Sequence, residues 1–135
     1  MGHEQDIRAW LSFADMDYDA ANILYAHHPR PCEIICYHCQ QAGEKAVKAL
    51  YLAADIPGGI PKKHDLWFLL EQIKGRVDVP ESILDAAEEL NPYAIIVRYP
   101  SENRVDDYLT KKALGQARQI VNWSKAEIEK RTAQE

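Results

Sequence analysis

Residues 32–52 read CEIICYHCQQAGEKAVKALYL, and the meaning of this stretch decides the fold. It runs without a helix breaker from Cys32 to Leu52 and contains all three cysteines of the chain. Cys36, Cys39, Gly43, Ala46, Leu50 and Ala53 recur at steps of three and four. Ile35, Ala42, Val47 and Ala49 widen that apolar stripe. Tyr37, Gln41, Glu44, Lys48 and Tyr51 fall on the other side, and Glu44 and Lys48 make an i,i+4 pair in the favourable order. The small residues Ala42, Gly43 and Ala46 let a second helix approach closely.

The cysteines admit two readings. Their Cys-x3-Cys-x2-Cys spacing matches the one that holds a [4Fe-4S] cluster in radical-SAM enzymes, and thiolates suit iron-sulfur chemistry. That motif belongs in a loop after a strand of a large α/β barrel, and neither is legible here. On a helix the outer two cysteines stand roughly 10 Å apart along the axis, too far for one cubane. His38 points away from the cysteine face and does not complete a zinc set. A buried free cysteine behaves as a small apolar residue. The stretch is therefore read as the central helix of a bundle, with its sulfurs in the core.

Working outward, Glu4 to about Ala26 is a second long helix, with Ile7, Trp10, Leu11, Ala14, Tyr18, Ala21, Leu24 and Tyr25 on one face. Asp6, Asp15, Asp17 and Asp19 point elsewhere. Asp15 and Asp19 share a side without further oxygen ligands, so they read as a solvated acidic face rather than a cation site. The run His27-His28-Pro29-Arg30-Pro31 breaks the helix and makes the two long helices antiparallel neighbours. Residues 55–61, DIPGGIP, are a loop by composition. His64 or Asp65 caps a third helix through Leu66, Leu69, Leu70 and Ile73, which Gly75 closes. Pro80 starts a short fourth helix with Ile83, Leu84, Ala87 and Leu90 inside. Asn91-Pro92 repeats that start signal, and residues 93–97 form a helical turn or short helix. Asp106 caps the last helix, about Asp107 to Lys130, with Leu109, Ala113, Ala117, Ile120, Val121, Ser124 and Ile128 inward. The expected fold is all-α: an antiparallel, up-and-down bundle of four to five helices in one domain over residues 1–135.

Composition narrows the function. At 135 residues the chain is long enough to bury a core without disulfides or a structural metal. A net charge of -5 does not favour non-specific binding to nucleic-acid phosphates. Three clustered cysteines are not a disulfide framework, and they fit a reducing cytoplasm. No apolar leader and no membrane span is legible. No Ser/His/Asp order and no phosphate loop stands out. Lys62, Lys63, Arg98, Arg104, Lys111 and Lys112, with Tyr99 and Tyr108, read either as a basic patch that grips phosphate and stacks a base or as scattered solvated charges. His64-Asp65 reads as a catalytic pair or, more plainly, as a helix start.

The string from Cys39 to Leu50, CQQAGEKAVKAL, resembles the HEPN domain (higher eukaryotes and prokaryotes nucleotide-binding). Trp10, Ala14, Asp17 and Ala20-Ala21 on the first helix agree with it, as do His64-Asp65-Leu66 after the Gly/Pro loop and Arg98-Tyr99-Pro100 before the last helix. The resemblance spans nearly the whole chain. It implies a helical bundle that dimerises and that partners a minimal nucleotidyltransferase, often in a toxin-antitoxin pair. Many members are metal-independent RNases with an arginine followed, after four to six residues, by a histidine. Arg98 matches the arginine, but the histidine positions hold Asn103, Arg104 and Val105, and no histidine follows His64. The usual general acid/base is missing. In some relatives a tyrosine two residues after that histidine is modified by the partner, and Val105 cannot take that role.

The resemblance implies a non-catalytic homodimer that binds a nucleotide (ATP or GTP) or RNA. Arg98 would contact phosphate, with Arg104, Asn103, Lys45, Gln41 and His64 as further contacts. No cofactor and no metal is expected. The alternatives are a metal-independent RNase toxin that uses Arg98 with a residue such as His64, and a module that only docks a partner protein.

Overall fold

The computed structural model describes residues 3–98 and 105–132. Its helices are α1 (Glu4–Tyr25), α2 (Cys32–Ala53), α3 (Leu66–Ile73), α4 (Glu81–Leu90) and α5 (Asp107–Thr132), with a short 3-10 helix, Asn91–Ala94, after α4. There is no strand among the described residues.

The long helices fit together in a defined direction. On α1 and α2, Asp17 meets His38 and Lys45, while Trp10 meets Lys48 further along, so the two run antiparallel. Cys32 faces Asp107 and Cys36 faces Thr110. A Cβ added at Gly43 would meet Ile120. Helix α5 therefore runs parallel to α2. Helices α3 and α4 and the 3-10 helix fill the return between them.

α2 lies at the centre and is packed by α1, α3, α4 and α5. Its cysteine face is core: Cys36 and Cys39 are fully buried and Cys32 nearly so, and all three are free thiols. Burial pushes the Cys36 thiol up to about 11 and raises that of Cys39 further. The side expected to be polar is a correction. Glu44 is 2 % exposed, Lys48 6 % and Tyr51 1 %. The stripe through Ile34, Tyr37, Gln41 and Lys45 stays at least partly open, whereas Glu44, Lys48 and Tyr51 are covered by neighbouring elements, so their polar groups bond inward. Tyr51 Oη donates to the Leu69 carbonyl at 2.6 Å and fastens α3 to α2. Gly43 is what lets Leu66 in: a Cβ there would stand 3.1 Å from Leu66 Cδ2.

Local signals place the shorter elements. Asp65 Oδ1 accepts from Phe68 N at 2.9 Å and caps α3, a contact worth about 1 kcal/mol. Asp106 Oδ1 accepts from Leu109 N at 2.8 Å and caps α5. The expected cap at Asn91 is used elsewhere: its Oδ1 accepts from Leu66 N at 2.8 Å and its Nδ2 donates to Asp65 at 2.9 Å. That reciprocal clamp ties the start of α3 to the end of α4. Residues 91–97 form the 3-10 helix and a following turn. Leu109, expected inside, is 37 % exposed; in the first turn of α5 it is the fully buried Thr110 that faces α2, at Cys36. Gly75 lies just past α3 without a left-handed backbone, whereas Gly58 and Gly59 have φ of 87° and 73°, which favour glycine.

Candidate functional site

The polar residues of α2 divide into two networks. In the first, the buried Glu44 carboxylate accepts from Lys48 Nζ at 2.9 Å and from Gln40 Nε2 at 3.3 Å. The His64 ring contacts it through Nδ1 at 3.1 Å. Gln40 Nε2 also donates to the His64 carbonyl at 3.0 Å, and Gln41 Nε2 donates to Gln40 Oε1 at 2.8 Å. An ionised carboxylate only accepts, so His64 Nδ1 carries the proton and Nε2 is left as the outward ring nitrogen. The His64 side chain is 71 % exposed. A buried acid therefore orients a solvent-facing imidazole, the arrangement by which a carboxylate fixes the tautomer of a working histidine. His64 does not pair with its neighbour Asp65, whose carboxylate is used by the cap and by Asn91.

The second network lies between α1 and α2. Asp17 is half-buried and bridges His38 Nδ1 at 2.8 Å and Lys45 Nζ at 2.5 Å. Lys45 also lies 5.9 Å from the Phe13 ring centroid, and Lys48 lies 5.6 Å from that of Trp10. Asp17 was not legible as a site residue. The signal that points to it is the seven-residue separation of His38 and Lys45, which puts two nitrogen groups on one side of α2, where they call for an acid on the facing helix.

Arg98 stands apart from both networks. It is exposed and its backbone N–H donates to the Ile95 carbonyl at 3.0 Å. Its guanidinium has no partner among the described residues. A cleft of about 430 Å³ opens beside this turn, lined by His64, Asp65, Glu88, Asn91, Pro92, Ala94 and Ile95. The cleft's lining thus includes His64 and Ile95, the first residue of the turn that ends at Arg98, but not Arg98 itself. The structure ties Gln41 to His64 through Gln40, and it holds Lys45 in a separate network. Asn103 and Arg104 lie outside the described residues, as does Tyr99. The cleft also holds the carboxylate of Glu88, which opposes an anion.

The remaining basic residues are not gathered around Arg98 by any contact. Lys112 pairs with Glu89 at 3.1 Å. Lys112 and Gln116 together hold the Glu89 carboxyl below the usual carboxylate range. Lys63 lies over the Phe68 ring at 4.9 Å. Asp15 pairs with Lys125 at 2.7 Å. Among the described residues no group of three or more His, Cys, Asp or Glu side chains is placed to hold a metal ion. No helix there is long and apolar enough to cross a membrane. Exposed apolar side chains flank the Arg98 turn on both sides in the sequence: Ile95 and Val97 before it, Tyr108 and Leu109 after it.

Comparison with known proteins adds three findings. A family model described as the HEPN domain matches residues 7–128. The crystal structure of TT1696 from Thermus thermophilus is similar, with a TM-score of 0.76 and 26% identity over 97% of this chain and 99% of that one. So is that of ST0689, an archaeal HEPN homologue, with a TM-score of 0.70 and 26% identity over 90% of this chain and 97% of that one. No curated protein matches the chain.

Proposed function

We propose, from the premise that this chain belongs to the HEPN domain family, that it binds a nucleotide (ATP or GTP) or an RNA at the cleft between His64 and the Arg98 turn. The observation that carries the proposal is the imidazole that Glu44 holds facing solvent in this cleft, with Arg98, which has no side-chain partner among the described residues, three residues beyond the cleft-lining Ile95. A planar, permanently charged guanidinium grips a phosphate through two N–H groups. The outward His64 Nε2 accepts from a sugar or base donor. Arg104 and Asn103 follow Arg98 closely in sequence and extend the phosphate contact. Lys45 and Gln41 act behind this surface, Gln41 through its bond to Gln40.

In the same proposal the protein works as a cytoplasmic homodimer and partners a minimal nucleotidyltransferase in a toxin-antitoxin-like pair. The exposed Ile95, Val97, Tyr108 and Leu109 support a docking face next to Arg98. Calorimetric titration with ATP, GTP and short RNAs tests the binding claim. Heat that saturates with at least one of them is expected. Absence of heat with all of them at millimolar ligand sinks it.

One observation favours a second reading. The Glu44–His64 contact orients a proton-transfer group that an RNase needs, in place of the histidine missing after Arg98. A toxin of that kind arrests growth when expressed, and Arg98→Ala or His64→Ala relieves the arrest. Normal growth with the wild-type protein rules it out and leaves the binding reading intact.

A further inference from the structure

A second groove lies between α1 and α5, with a volume of about 420 Å³ and a lining of Tyr18, Leu114, Gly115, Arg118, Gln119 and Asn122. It shares no residue with the cleft beside His64. We propose that this groove is a binding site for a nucleotide phosphate monoester, either a free mononucleotide or the phosphorylated end of an RNA.

The polar side chains of the groove are all unspent. Among the described residues, Arg118, Gln119, Asn122 and the Tyr18 hydroxyl make no side-chain hydrogen bond or ion pair within the chain. That contrasts with their neighbours Lys112, Gln116 and Lys125, each bonded across to another helix. The lining supplies the complementary parts a nucleotide needs. Arg118 presents a forked, charged donor for phosphate. Gln119 and Asn122 each offer an amide N–H and a carbonyl, the set that reads a base edge or a sugar hydroxyl. Tyr18 is half-buried against the core and Leu114 is buried, so together they form a fixed wall on which a base rests.

Gly115 sits at the middle of that lining. Nothing lies within 4 Å of where its Cβ would be. The position is exposed and helical, where alanine is worth about 1 kcal/mol more than glycine in helix stability. No close packing within the chain accounts for a glycine there. Its effect is to keep the floor of the groove open.

The charge balance sets the ligand's size. Lys111 lies one turn before Gly115 on the same side of α5, exposed and without a partner among the described residues, and it doubles the cationic charge along this side of the helix. Asp15 on the facing side of α1 is neutralised by Lys125. Asp19, one turn further along α1, is exposed and unpaired among the described residues. Two cations against one carboxylate suit one phosphate better than a triphosphate. The volume lies at the small end of the range for ligand pockets, which suits a mononucleotide and not a folded RNA.

The test is calorimetric titration of the wild-type protein, Arg118→Ala, Gly115→Leu and Arg98→Ala with AMP, with adenosine, and with a short RNA carrying or lacking a 5′-phosphate. Wild type should bind AMP or the phosphorylated RNA, and whichever binds tighter identifies the source of the phosphate. Arg118→Ala should weaken that binding roughly tenfold or more, and Gly115→Leu should abolish it by filling the groove. In Arg98→Ala, which removes the phosphate contact proposed for the His64 cleft, the binding that Arg118→Ala loses should remain. Because positions 115 and 118 are exposed, the melting temperatures of both variants should stay at or above that of the wild type. The proposal is overturned if no phosphorylated probe binds at millimolar concentration, if adenosine binds as tightly as AMP, or if Arg118→Ala binds as wild type does. Loss of all binding in Arg98→Ala with none in Arg118→Ala overturns it too, while supporting the His64–Arg98 cleft.

Discussion

The polar groups around Glu44 and those around Arg98 and Arg118 differ in where their hydrogen bonds go. Glu44, Lys48 and Gln40 are buried and bonded to one another and to His64. Arg98 and Arg118 are exposed and have no side-chain partner among the described residues. The first set stabilises the fold and orients one ring. The second set is free to meet a ligand. Polar residues chosen from sequence alone do not separate in this way, because both kinds look equally hydrophilic there.

The comparison breaks most sharply at Glu44. Replacing it with alanine leaves the Lys48 ammonium buried without its counter-charge, and truncating one partner of a buried pair costs about 3–5 kcal/mol. Urea unfolding followed by tryptophan fluorescence should show that loss, and a change below about 1 kcal/mol would mean that the network is solvated. The same variant should release the His64 ring, visible as changed ring chemical shifts by NMR.

Alkaline pH is the next largest perturbation, and it acts on the core rather than on either polar set. The Cys36 thiol titrates at about 11 in the folded chain, against 9.0 for an unburied thiol, because burial disfavours the thiolate. Between these values the unfolded chain has released a proton that the native chain still holds. Stability is therefore fully present below pH 9 and falls as pH rises towards 11, by on the order of 2 kcal/mol. Cys36→Ser, with its hydroxyl silent in this range, should make that part of the curve shallower, leaving the slope contributed by the Cys39 thiol, which burial raises further. An unchanged slope would place the thiol in contact with water.

Gly43→Val probes the close approach of α2 to α3. The added side chain must displace Leu66 and Ile120, and overpacking of this kind costs about 1–3 kcal/mol. Stability equal to wild type would show that Leu66 has room to move. Ser124 gives the smallest effect and the opposite sign. Its hydroxyl is buried with no hydrogen-bond partner, so Ser124→Ala should raise stability by about 1 kcal/mol. A loss of stability instead would reveal a partner for that oxygen.

Much of the fold was legible because its signals are local. The helix expected from Cys32 to Leu52 runs from Cys32 to Ala53, and the one expected from Glu4 to about Ala26 ends at Tyr25. The caps at Asp65 and Asp106 follow from side chains three residues ahead of the N–H groups they accept. The failures are non-local. Glu44, Lys48 and Tyr51 looked like a solvent face because hydrophobic patterning cannot show which polar side of a helix a neighbour covers. Asp17 looked solvated because its partners His38 and Lys45 lie on another helix. Asn91 caps no helix at Pro92 because α3 brings Leu66 N and Asp65 within its reach. For a site, the sequence alone names candidates, the family string and Arg98. The orientation of His64 by Glu44 and the free lining around Arg118 depend on how the helices pack, which no spacing in the sequence encodes.

The central claim is that the free guanidinium at Arg98, and not the internally bonded lysines of α2, meets the ligand. Parallel calorimetric titrations of wild type and Arg98→Ala with ATP, GTP and short RNA test it most directly, with a urea curve for each protein. The account predicts that Arg98→Ala weakens the tightest of these ligands roughly tenfold while its unfolding curve stays within about 0.5 kcal/mol of wild type. Equal affinity for wild type and Arg98→Ala, in proteins of equal stability, would contradict it.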